Sequence, residues 1–296
     1  MERKNARDFP PDVLKLFDAY VHGAITRRDF LNRAAKFAVG GFSATAMLES
    51  LKPNFAWAQQ IPKDDNRIKA DYVDYPASKG SIKMRGYMAA PANAQGKLPG
   101  IIVIHENRGL NPYIEDVVRR LAVENYVAFA PDALTPLGGY PGDEDKARSM
   151  FALLDSAKRT ENLVAGAEFL KNRPEVSGKI GAVGFCFGGG IASQLAVRLP
   201  DLSAAVSFYG DQPTANETAR IKAALLIHYA GLDERINAGW PAFEAALKAN
   251  KVNYQMYMYP NVNHGFHNDT TPRYDEAAAK LAWTRTLDFF KHHLAA

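Results

Sequence analysis

The chain has one cysteine, Cys186, and it stands between glycines in Gly184-Phe185-Cys186-Phe187-Gly188-Gly189-Gly190. The apolar run KIGAV precedes this stretch and IASQLAVRL follows it. A strand, then Gly-x-Cys-x-Gly, then a helix is the layout of a nucleophile elbow, a turn so tight that its neighbours must be small. The helix N-terminus beneath such a thiol favours its charged form. Three chemistries fit the stretch: a thiol nucleophile, a small buried residue in a tight turn, or a glycine-rich loop cradling a phosphate. The last lacks both the Gly-x-Gly start of a dinucleotide fingerprint and the Lys-Ser/Thr of a phosphate loop. Asp211, after the following strand, keeps a cofactor-binding Rossmann domain in play, but that alternative explains neither Cys186 nor His264.

Order along the chain favours the nucleophile. Asp233 follows in HYAGLDERI and His264 in NVNHGF, each just past a strand-like run. Nucleophile, acid, histidine is the chain order of the α/β-hydrolases. Ligands of open sheets bind at the carboxyl ends of strands, where these loops lie. Asp233 could instead cap the following helix or pair with Arg235, and His264 could be an ordinary loop histidine. His264-x-x-His267 and His292-His293 lack further ligands at metal spacing, so solvent-facing positions are expected for them. Trp283, Phe289 and Phe290, at helical spacing, are expected in the core.

The elements that must position these groups alternate. ADYVDYPA and SIKMRGYMAA, separated by SKG, form an expected antiparallel hairpin. PGIIVIHE, YVAFAP, KIGAVGF, LSAAVSFYG, AALLIHYAG and NYQMYMYP are expected strands, most of them continuous apolar runs suited to burial on both faces. NPYIEDVVRRLAVEN is an expected helix with Asn111 as cap and Pro112 in the first position. TENLVAGAEFLKNRP, GGGIASQLAVRLP, GWPAFEAALKAN and the final DEAAAKLAWTRTLDFFKHHL are further helices, and a Gly/Pro-rich excursion opens at 135–143. The alternation predicts an α/β fold: a doubly wound, mostly parallel sheet with an antiparallel start.

Composition agrees with one globular body. Hydrophobic residues make up 47% of the 296 and charged residues 23%. The net charge of +4 is concentrated at the front, where residues 1–58 hold nine Lys/Arg against six Asp/Glu. No basic stripe points to nucleic acid. One cysteine excludes an internal disulfide.

The front also carries a targeting pattern. In TRRDFLNRAA the pair Arg27-Arg28 precedes Phe30-Leu31, the weakly apolar KFAVGGFSATAML follows, and Ala56-Trp57-Ala58 is a small-x-small cleavage pattern. This resembles a twin-arginine export signal. It implies an export signal at 1–58, cut after Ala58 following contact with the Tat machinery, and a hydrolase domain at 59–296 in a bacterial periplasm; the alternative is a cytoplasmic protein. The apolar run is too interrupted for a stable membrane span. The competing expectation is an amphipathic helix capped at Thr26 with Asp29 three residues on.

The elbow, the acid in GLDE and the HGF motif together resemble the dienelactone hydrolase (carboxymethylenebutenolidase) family over roughly Asp71 to His293. The resemblance implies an α/β-hydrolase fold and hydrolysis of a small-molecule ester or lactone by Cys186, His264 and Asp233 through an acyl-thioester, with no cofactor or metal. It implies that Glu106, in VIHENRG, takes part in switching the thiol to thiolate; a surface pair with Arg108 is the plainer alternative. It maps the oxyanion-hole N–H groups to Phe187 and Asn107. Where the family holds a substrate carboxylate with two arginines, one position is Asn268 here and the other is near Arg148; Arg108 is an alternative anion contact. A second class of function, a non-catalytic or redox-sensing protein on the same scaffold, remains as the alternative.

Overall fold

The computed structural model describes residues 4–38, 42–77 and 82–295. The hairpin turn at 78–80 and the glycine pair at 40–41 lie outside the described residues. Eight strands form one sheet: β1 (Ile68–Pro76), β2 (Lys83–Pro91), β3 (Leu98–Ile104), β4 (Val127–Pro131), β5 (Val176–Phe185), β6 (Ala204–Phe208), β7 (Ala224–Ala230) and β8 (Tyr254–Tyr259). Their order is β1-β2-β4-β3-β5-β6-β7-β8. The pairs β1–β2 and β2–β4 are antiparallel and the rest are parallel. The antiparallel start and the doubly wound body are as expected from the sequence.

Every residue of β4, β6 and β7 is buried, which is why these strands are apolar runs instead of alternating ones. Successive residues of β3 serve opposite faces. Ile101 and Val103 pack into one core and Ile102 and Ile104 into the other. The first face is covered by α4 (Pro112–Val123) and by the last helix, α11 (Glu276–His293), through Val117, Leu121, Ala282 and Phe290. The second is covered by α6 (Ser156–Lys171), α7 (Phe187–Arg198) and α10 (Trp240–Ala249), through Leu163, Leu170, Leu195 and Leu247. Burying each such side chain contributes about 1.5–3 kcal/mol. The helix α5 (Glu144–Ala152) and the single-turn helices α8 (Ala215–Thr218) and α9 (Glu234–Asn237) complete the body. Asn111 caps α4 by accepting from Ile114 N at 3.2 Å, with Pro112 next, as expected.

Residues ahead of the sheet fold as a helical unit of their own. It comprises α1 (Pro11–Val21), α2 (Arg27–Ala34) and α3 (Ala44–Leu51). Val13, Phe17 and Tyr20 recur at helical spacing on α1 and meet Phe30, Met47, Leu48 and Leu51 in a separate small core. Thr26 and Asp29 form a capping box at the start of α2, so Arg27 and Arg28 occupy a first helical turn. The unit is tied to the body: Asn54 N donates to Thr270 O at 2.8 Å. Ala58 is completely buried in the first sheet core. Among the described residues no helix is long and apolar enough to cross a membrane.

Candidate active site

β5 runs straight into Cys186, whose backbone sits at φ +56° and ψ −118°, and α7 begins at the next residue. A side-chain-bearing residue in that region is strained. The chain around it is correspondingly bare. A Cβ on Gly184 would lie 1.9 Å from Gly188 O, and one on Gly188 would lie 2.2 Å from Ile104 O. Cys186 N donates to Phe208 O at 3.0 Å, pinning the turn to β6. The thiol is thus held at the carboxyl end of the central strands, beside the N-terminus of α7.

Asp233 does two things at once. As cap of α9 its Oδ1 accepts from Ile236 N at 3.3 Å, and its Oδ2 lies 2.5 Å from His264 Nδ1. Both residues are buried. With Nδ1 committed to the carboxylate, His264 turns its other ring nitrogen, Nε2, towards the thiol. Burial alone would push the Cys186 thiol up, but the His264 and His22 imidazoles outweigh it and hold the thiol well below its ordinary value. Burial likewise opposes charge on His264, yet the thiolate and then Asp233 raise it to about 10. Both shifts run towards a thiolate beside an imidazolium.

Glu106 is not a surface partner of Arg108. It lines the cavity over Cys186 and accepts from Asn268 Nδ2 at 2.9 Å. Burial, then the nearby thiolate, push its carboxyl up. Arg108 pairs instead with Glu144 at 3.6 Å and donates to Asn107 Oδ1 at 2.6 Å. Burial pushes Glu144 to about 7. Asn107 lines the same cavity, and Phe187 is the first residue of α7, where backbone N–H groups have no intrahelical acceptor. Arg148 stands one layer back, its guanidinium against the Tyr20 ring and donating to Tyr20 O at 3.4 Å.

Sequence reasoning missed four residues that the helical unit brings in or engages. His22, the C-cap of α1, places Nε2 3.3 Å from Cys186 Sγ. Asp18, one turn earlier, accepts from Arg273 Nη1 at 3.2 Å. Arg235 Nη2 is 3.1 Å from His22 Nε2. Val21 O accepts from Asn107 Nδ2 at 2.9 Å and from Arg108 at 3.2 Å. The only available signal was the Asp-x-x-x-His spacing on α1. The cavity between the unit and the body is about 50 Å³ and partly open to solvent. The side-chain donor atoms of His22, Cys186 and His264 all lie within 4.8 Å of one another. His267 corrects an expectation: it is buried, bonded to Tyr113 Oη at 2.7 Å and stacked on Phe185 at 5.1 Å. Phe289 and Phe290 are in the core, as expected.

A mostly parallel eight-stranded sheet with an antiparallel start and a cysteine elbow after β5 defines an α/β-hydrolase. Residues 84–294 match the model of the dienelactone hydrolase family, and the chain belongs to that family. Residues 1–36 match a second model, described as YqhI-like. The chain is 33% identical over 250 residues to a Synechocystis protein named "Putative carboxymethylenebutenolidase", covering 77% of this chain and 98% of that one. It is 35% identical over 228 residues to protein usf of Aquifex pyrophilus, 73% of this chain and 96% of that one. A solved dienelactone hydrolase-like promiscuous phosphotriesterase, P91, from metagenomic libraries superposes with a TM-score of 0.65 and 26% identity, covering 77% of this chain and all of that one.

Proposed function

We propose that this hydrolase cleaves a small ester or lactone through an acyl-thioester on Cys186. The observation that carries it is the buried Asp233–His264 pair, at 2.5 Å, set beside a thiol on a strained elbow. The Cys186 thiolate attacks the substrate carbonyl carbon. The oxyanion is received by backbone N–H groups at Phe187 and Asn107; one such donor is typically worth about 3 kcal/mol. As the C–O bond breaks, His264 gives its Nε2 proton to the departing oxygen. His264 then takes a proton from water, the hydroxide adds to the thioester, and the thiolate leaves with the acid released. Glu106, whose carboxyl is pushed up by burial and then by the thiolate, stands beside the sulfur and takes part in its switch to thiolate. The relatives named as carboxymethylenebutenolidases support a lactone as the substrate class.

Intact-mass measurement across a panel of lactones and activated esters tests this. An acyl adduct on the wild-type chain that disappears in folded Cys186→Ala, together with loss of turnover, is expected. Retained turnover in Cys186→Ala would refute it.

The expectation of a leader cut after Ala58 and a helical unit that works at the site make opposite predictions. The buried Ala58 and the contacts of His22 and Asp18 favour retention of the unit in the working enzyme. The mass of the protein isolated from its own cell compartment decides: retention leaves His22 in the chain, whereas a chain beginning at Gln59 supports export.

A further inference from the structure

The end of α1 brings a second imidazole to the nucleophile. His22 Nδ1 lies 2.8 Å from Asp18 O and 3.3 Å from Asp18 Oδ1. Both are acceptors, so Nδ1 carries the proton and Nε2 offers its lone pair. That Nε2 is the atom 3.3 Å from Cys186 Sγ. The two histidine rings meet edge to face with centroids 4.7 Å apart. Each ring therefore has its own aspartate at Nδ1, Asp18 for His22 and Asp233 for His264. A residue that only filled space would need neither an imidazole nor an acid behind it.

We propose that His22 is a further catalytic residue: the base that takes the Cys186 proton and holds the free enzyme as a thiolate–imidazolium pair. The S–H bond breaks, an N–H bond forms at His22 Nε2, and the electron pair stays on sulfur. His264, raised to about 10, takes its own Nε2 proton from solvent and keeps it for the leaving oxygen. The inference rests on Cys186 being the nucleophile.

The surroundings of His22 favour the transfer on balance. Burial opposes a charged ring, but the thiolate and Asp18 outweigh it and push His22 up. Asp18 faces it from α1, His264 from the loop after β8 and Arg235 from α9. Glu106 and Arg273 line the same cavity with opposite charges. Arg235 Nη2, 3.1 Å from Nε2, donates to the neutral ring and competes with the thiol. Asp211, 3.6 Å from the same guanidinium, gives Arg235 another acceptor once the ring is protonated. The cavity over the thiol, about 50 Å³, is large enough for a few waters and is partly open to solvent. His22 already lies 3.3 Å from the thiol with no substrate bound, so the transfer belongs to the free enzyme.

The test uses the full chain without substrate. Thiolate ultraviolet absorbance and the rate of alkylation by iodoacetamide are followed against pH in wild type, His22→Gln and His22→Ala. Loss of His22 is expected to move the thiol titration up by about one unit or more, cutting alkylation roughly tenfold at pH below the wild-type midpoint. Added imidazole should restore the rate in His22→Ala, a rescue that a purely structural role would not give. An unchanged titration, or faster alkylation in either variant, overturns the proposal and leaves His22 as a plug. If His22→Ala unfolds by circular dichroism, His22→Gln decides. Because no turnover is measured, failure of the hydrolase reading would show separately, as a missing acyl adduct.

Discussion

Asn268 Nδ2 donates to Glu106 Oε2 at 2.9 Å, so the position where the family resemblance calls for a carboxylate-holding arginine is used here to hold a carboxylate of the protein itself. The same Asn268 turns its Oδ1 to Thr270, accepting from Oγ1 at 2.6 Å and from N at 3.1 Å. Its orientation is fixed by these bonds, and its amide is spent on Glu106.

Removing that donor should raise the Glu106 carboxyl further, since burial and the thiolate already push it up. Hydrogen bonds to charged groups are worth about 1.5–3 kcal/mol. Asn268→Ala is therefore expected to lower kcat/KM about tenfold or more, with the acid limb of the pH profile displaced to higher pH. An unshifted profile would mean that Glu106 does not titrate in the working range.

Asp233→Asn separates orientation from folding. Asparagine caps helices as well as aspartate does, so α9 and the melting temperature should change little. The His264 ring loses the acceptor at 2.5 Å that fixes its tautomer and supports its charge. In a comparable serine enzyme this exchange costs roughly 10⁴ in kcat, and a loss of several orders of magnitude is expected here in steady-state kinetics.

Gly188→Ala tests the elbow. The added Cβ would meet Ile104 O at 2.2 Å and His105 O at 2.6 Å, both backbone atoms that cannot turn away. Destabilisation of about 3 kcal/mol or more is expected, measured as a lower urea midpoint with an unchanged slope. A variant of wild-type stability would show that the turn can open.

The docking of the helical unit should depend on acid. Burial alone would raise Asp18, but His22, His264 and Arg273 outweigh it and depress the carboxyl below its ordinary 3.8. A depressed carboxyl stabilises the docked state fully above that ordinary value and loses the contribution as pH falls below it. Hydrogen exchange in α1 should therefore accelerate at acid pH ahead of exchange in the sheet. Asp18→Asn should show the faster exchange at neutral pH and a weaker acid dependence.

Much of this molecule was legible in its sequence because the signals are local. β4, β6 and β7 are apolar runs since both faces of a central parallel strand are covered. Glycines flank Cys186 since a Cβ would collide with neighbouring backbone. Asp233 and His264 follow strands because loops at strand carboxyl ends are where an open sheet gathers side chains. The capping box at Thr26 and Asp29 was likewise visible as a competing expectation for the segment that carries the twin arginine.

Spacing of a few residues, together with hydrophobic period, is enough to set the α/β architecture, the elbow and the order of nucleophile, acid and histidine. Tertiary structure alone decided who else meets the sulfur. His22 reaches Cys186 across 164 positions because α1 docks its apolar stripe on a small core and its charged end on Arg273 and Arg235. Arg108 turns to Glu144, Asn268 to Glu106 and His267 into the core for the same reason. Which polar group pairs with which is settled by the packing of distant elements, and no local pattern encodes that distance.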